Sequence, residues 1–177
     1  MSLAPSPSQP DARPADADAT AAHPDWGWPV LRLGFRPFYL GAAAFALISI
    51  PLWLLMWSGM TAMQPTLAPL LWHAHEILYG FAIAVIVGFL LTAVRAWTGL
   101  DTPRGPFLGA LALLWLAARI AALSGPYVIY AVLDVALLPV VAVVLLRVLL
   151  RARTTRNLPL AGILVLLALV KNRGRVL

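Results

Sequence analysis

Residues Leu71–Val94 read LWHAHEILYGFAIAVIVGFLLTAV. Two histidines and a glutamate stand at the mouth of a run with no charged residue between Glu76 and Arg95. A run of roughly 20 apolar residues is what a helix needs to cross the hydrocarbon core of a bilayer. The stretch therefore predicts a membrane-spanning helix over about 75–94. On that helix, residues four apart stack into one ridge. From Glu76 the ridge reads Glu76, Gly80, Ala84, Gly88, Thr92. Such a row of small residues lets another backbone approach closely, so this face is expected to meet protein rather than lipid.

The rest of the chain agrees. Of its 177 residues, 62% are hydrophobic and 11% charged, with a mean hydropathy of +0.87. A soluble domain carries about 25% charged residues. Cysteine is absent, which excludes disulfides and thiolate metal sites. The net charge of +6 comes mostly from arginines flanking apolar runs, where membrane proteins keep them to set orientation, so nucleic acid is not an expected partner. The expected environment is the lipid bilayer.

Four further runs follow this pattern: 38–57 (with Pro51 inside), 106–123, 127–150 (with Pro139 inside) and 158–170. The last falls short of a full crossing. The fold expected is all-α: a polytopic transmembrane helical bundle over 31–170, with four full spans and a partial, truncated fifth. Residues 1–30 are rich in Pro, Ala, Ser and Asp without apolar periodicity, and are expected to form a disordered aqueous tail. They lack the basic and apolar regions of a secretory signal.

Arginines alternate between the loops. Arg32 and Arg36 precede the first span, Arg95 and Arg104 follow the second, and Arg151, Arg153 and Arg156 follow the fourth, with Arg147 at its edge. The intervening connections, Ser58–Trp72 and Ser124–Pro126, carry no Lys or Arg. This alternation predicts a cytoplasmic N-terminus and histidines on the outer side. Lys171, Arg173 and Arg175 break the pattern, so 171–177 reads as a divergent basic end, with the chain cut short or altered after Val170 or the fifth segment re-entrant.

His73 and His75 point apart on a regular helix. They converge only if His73 belongs to the loop and His75 to the first turn; otherwise each faces a different neighbour or ligand. Imidazole is a leading metal and haem ligand, and its second nitrogen usually needs a hydrogen-bond partner. Glu76 could supply that partner or be a ligand itself. The spacing equally suits polar residues that cap a helix at the membrane interface, with Glu76 favoured by the helix dipole. Arg119 and Asp134 lie about 4–5 Å apart in depth on either side of the turn at Gly125. They can pair across it, as a structural ion pair or as part of a polar cavity shared with the histidines and Glu76. The tryptophans near span ends read as interfacial anchors.

Several of these segments resemble the NnrS family: LGFRPFYLGA at Leu33–Ala42, WHAHEILYGFAIAVIVGFLLTAV at Trp72–Val94, WTG at Trp97–Gly99 and RNLPL at Arg156–Leu160. The WHAHE block is the most specific. The resemblance covers about 33–169 and corresponds to the N-terminal portion of members that are usually much longer. It implies a multi-pass protein of the bacterial inner membrane that contains haem and copper and belongs to the nitric oxide and nitrosative stress response. The family's HxHE motif falls on His73, His75 and Glu76, which makes His73 and His75 the candidate cofactor ligands and Glu76 a third candidate metal ligand. Nitric oxide or a nitrosyl metal species is then the expected small-molecule partner, with a second copy of the chain or a missing second half as a protein partner. No nucleophile constellation, phosphate loop or nucleotide fingerprint occurs, so no catalytic residue and no reaction is assigned. Two other readings use the same charges: a fragment of a transporter or proton relay, and a non-functional truncated remnant.

Overall fold

The computed structural model describes residues 28–63, 65–153 and 158–173. The expected tail up to residue 27, Arg156, and the chain end from residue 174 lie outside the described residues.

The described residues contain helices and no strand. A 3₁₀ turn, Pro29–Leu31, leads into α1, Phe35–Trp57. The second crossing is continuous from Pro69 to Thr98, built of α2 (Pro69–His75), a π-helical segment (Glu76–Ala82) and α3 (Ile83–Thr98). It is followed by α4 (Gly105–Ser124), α5 (Tyr127–Arg151) and α6 (Leu158–Arg173). Among the described residues, four helical stretches are long and apolar enough to cross a membrane: α1, Pro69–Thr98, α4 and α5. The all-α, polytopic expectation of four full spans holds. α6 has 16 residues, about 24 Å of helix, short of a hydrocarbon core of about 30 Å.

Local sequence accounts for several boundaries. Pro69 at the start of α2 and Pro106 at the start of α4 occupy first-turn positions, where a missing N–H costs nothing. Gly99 ends α3 in the left-handed region with φ 67°, which a side chain resists. Pro51 and Pro139 lie inside α1 and α5 on outward-facing surfaces, and both helices continue through them.

The chain runs up and down, so the ends of the crossings alternate between two faces. α1 packs along α2, the π segment and α3; α4 pairs with α5, and α6 lies along α5. α3 against α5 joins the two halves. The ridge read from the sequence is the contact face: Glu76, Gly80, Ala84 and Gly88 are all buried. At Gly88, an added Cβ would lie 3.0 Å from Tyr39 and 3.1 Å from the Phe38 Cβ, so α1 approaches where the side chain is absent. Phe38, Val87, Leu91, Leu108, Leu138 and Val141 form the centre of the core. Lipid tails are as apolar as these side chains, so close packing rather than water exclusion holds the helices together.

Two connections differ from a plain bundle. Pro29–Leu31 turns back under the helices: the Arg36 guanidinium donates to the Pro29 carbonyl at 2.8 Å, and the turn packs on α1 and α4. At the other face, Thr66 docks on the end of α4. Its N–H donates to the Ala122 carbonyl at 3.0 Å, and its hydroxyl to the Ala121 carbonyl at 3.2 Å, which also accepts from the Gly125 N–H.

Candidate functional site

The second crossing begins at Pro69, six residues before the span expected from sequence, so His73, His75 and Glu76 sit inside the helix and not in its first turn. Glu76 is therefore no dipole-stabilised cap. A π segment starts at Glu76 itself, and at its end the Ile83 N–H reaches the Leu78 carbonyl five residues back. π turns are rare and occur mostly as short insertions, often at functional sites. Here the wider turn starts between two successive residues that both enter the bundle interior.

Glu76, Arg119 and Asp134 are all buried. The Arg119 guanidinium donates through one terminal nitrogen to Glu76 Oε2 at 2.8 Å and through the other to Asp134 Oδ1. The remaining carboxylate oxygens turn to His75: Glu76 Oε1 lies 3.2 Å from Nδ1 and Asp134 Oδ2 3.1 Å from Nε2. Each carboxylate thus divides its oxygens between Arg119 and His75, closing a ring of four side chains drawn from α2, the π segment, α4 and α5. The Tyr130 hydroxyl stands 3.0 Å and 3.2 Å from the two His75 nitrogens. Intramembrane charges are costly in isolation and persist by pairing inside the bundle.

The backbone beneath the ring is pinned. Trp115 Nε1 donates to the Gly80 carbonyl at 2.9 Å, tying α4 to the π segment. Gly80 has no room for a side chain: an added Cβ would lie 2.8 Å from Phe45, 2.9 Å from the Arg119 guanidinium and 2.9 Å from Glu76 Oε2.

His73 takes no part in the ring. Its imidazole stacks on Trp53 of α1, with ring centroids 4.1 Å apart and planes 18° apart. It is partly exposed, and its ring nitrogens make no hydrogen bond among the described residues. The two histidines therefore face different neighbours, the arrangement expected of a regular helix. His75 is locked by carboxylates and a phenol; His73 keeps its nitrogens open. Among the described residues, no group of three or more His, Asp and Glu side chains is placed to hold a metal ion.

Arg119 and Asp134 meet across the α4–α5 turn as their depths predict. Trp72, near a span end and so read from sequence as an interfacial anchor, is instead buried, as is Trp115 in the middle of α4. Sequence reasoning also missed Tyr130 and the π segment. A signal for the aromatics existed: Tyr130 precedes Asp134 by four residues, and Trp115 precedes Arg119 by four, so each shares a helix face with its charge. Nothing in residue spacing marks the π turn.

No curated protein and no solved structure matches the chain. The family model described as NnrS protein matches residues 29–172, which includes every member of the buried ring, His73, and all the helices except the last residue of α6. With the WHAHE block on the second of several membrane-crossing helices, the chain belongs to the NnrS family.

Proposed function

We propose that this chain is a haem-binding protein of the bacterial inner membrane that serves the response to nitric oxide, with His73 as the protein ligand of the haem. The observation that carries this reading is the open imidazole of His73, held flat against Trp53. Haem iron commonly takes a single histidine from the protein, and a stacked ring has few orientations left to lose on binding. Haem would supply an iron centre to which nitric oxide can bind. Arginine alternation supports a cytoplasmic N-terminus and puts His73 at the periplasmic end of the bundle.

The role of His75 and Glu76 is then positional. Their donor atoms are engaged with Arg119, Asp134 and Tyr130, so they hold the helix on which His73 stands. The copper that the family resemblance implies finds no three-residue donor set among the described residues, and no step is assigned to it.

Absorption spectra of the purified protein test this. His73→Ala is expected to lose the Soret band while inserting normally, because insertion depends on the apolar runs. His75→Ala is expected to keep a Soret band in whatever protein survives, with reduced thermal stability. An unchanged Soret band in His73→Ala sinks the assignment. The buried ring itself favours one second reading, a proton or ion path. That reading gains if the purified protein lacks haem and vesicles carrying it show ion-dependent uptake that Asp134→Asn abolishes.

A further inference from the structure

A cleft of about 460 Å³ lies between α1 and α4, and His73 is not among its lining residues. That volume falls within the range of roughly 300–1,000 Å³ typical of small-molecule sites. Along α1 it extends from Pro37 to Leu52, about 22 Å of helix. It opens sideways past Ile48, Leu113 and Ile120, all exposed. In a bilayer, that opening faces the acyl chains.

The wall is apolar, with the aromatic side chains of Phe45, Trp72 and Trp115 contributing to it. Three further observations single out the end nearer His73. Ser49, Trp72 and Arg119 all line the cleft. All three are more than nine-tenths buried. Each has a polar atom without a hydrogen-bond partner: Ser49 Oγ, Trp72 Nε1 and Arg119 Nε. Buried polar groups nearly always find partners, and exceptions call for an explanation such as a ligand. Two of the three are pure donors and the third can donate. All three atoms are covered in the empty cleft, and of the three the Ser49 hydroxyl is the one that turns toward a guest without breaking the ring around Arg119 or displacing the buried Trp72 indole.

These features select the guest. It must bear an oxygen that accepts hydrogen bonds. It must be uncharged, because Glu76 and Asp134 already flank Arg119 and a third anion would meet both. Its polar group must lie deep. Ser49 stands eight residues before Trp57 and Arg119 five before Ser124, about 12 Å and 8 Å along the axes. A phospholipid head stays at the interface, whereas a flat carbonyl-bearing ring with a long apolar tail can sit at this depth, between aromatic walls, and trail its tail through the opening. We propose that the α1–α4 cleft binds a membrane quinone, with a ring carbonyl directed to the Ser49 hydroxyl. This proposal does not depend on haem at His73.

The test uses the full chain in nanodiscs of phosphatidylethanolamine and phosphatidylglycerol, photolabelled with a short-tailed azidoquinone and mapped by mass spectrometry. Saturable labelling within 41–52 of α1 or 112–123 of α4 is expected, suppressed by decylubiquinone but not by decylbenzene, which has the tail without the carbonyls. Ala44→Phe and Ala112→Phe, which fill the cleft from either wall, should each weaken labelling by about tenfold; Ser49→Ala should weaken competition by decylubiquinone more than it weakens labelling of the tail contacts. Labelling that never saturates, equal competition by decylbenzene, or co-purified fatty acid or phospholipid that displaces the probe would each overturn the proposal. If the Phe variants fail to fold, the competition pair on the unaltered protein still decides it.

Discussion

Arg119 is the side chain on which the buried ring turns. Its guanidinium separates two carboxylates that otherwise face each other inside the bundle. Removing one partner of a buried ion pair costs about 3–5 kcal/mol, because the surviving charge is left uncompensated. Arg119→Met strands two anions, so it is expected to reach the upper end of that range in thermal unfolding in detergent. Asp134→Asn keeps a polar partner for Arg119 and should cost less. The double variant Arg119→Met with Asp134→Leu should lose less than the sum of its single changes, since residues in one network couple; simple additivity would show that the ring is not a unit. Gly80 makes the second residue-scale point. Its missing Cβ is the space into which Phe45, Arg119 and Glu76 close. Gly80→Ala is expected to destabilise by about 1–3 kcal/mol through overpacking, despite its favourable helix propensity. A stabilised variant in the same melt would contradict that.

At the scale of the element, the second crossing is two α-helical pieces around a π turn. The π turn shifts the phase of Pro69–His75 relative to Ile83–Thr98, which lets His75 and Glu76 enter the core while the ridge of Gly80, Ala84 and Gly88 still meets α1. The Trp115 indole holds this arrangement by donating to the Gly80 carbonyl. Trp115→Phe removes the donor and part of the ring, for a cost of about 1 kcal/mol from the hydrogen bond and a further cavity cost of at least similar size. The expected signature is local: faster amide hydrogen exchange across Glu76–Ala82 with little change in α5. Uniform exchange over all helices would mean that the indole steadies the bundle generally and the π turn not at all. The ridge was legible from Glu76, Gly80, Ala84 and Gly88 because four-residue spacing is a property of the α-helix, and the π turn leaves all four buried. The start at Pro69 was not, since the hydropathy of WHAHE is low and only its burial against Trp53 and Tyr130 makes it helical interior.

For the whole molecule, the crossings run antiparallel, and the loop arginines among the described residues fall at one end. Arg95 and Arg104 share Asp101 there, with Arg95 Nε 3.6 Å from its carboxylate, while the loop after α1 and the α4–α5 turn at the other end carry no Lys or Arg. Reporter fusions after Gly59 and after Gly125 should report the periplasm, and a fusion after Leu100 the cytoplasm; the reverse pattern would turn the histidine end inward. The apolar runs, the number of full crossings, the pairing of Arg119 with Asp134 and the protein-facing ridge were determined by the sequence itself, because span length, helical periodicity and depth are counted along one chain. The tertiary structure alone decided that His75 is enclosed and His73 open, that Tyr130 and Trp115 belong to the site, and that Ser49 shares a cleft with Arg119. Those facts depend on which faces of α1, α2, α4 and α5 meet, and a contact between helices distant in sequence leaves no regular spacing in either of them.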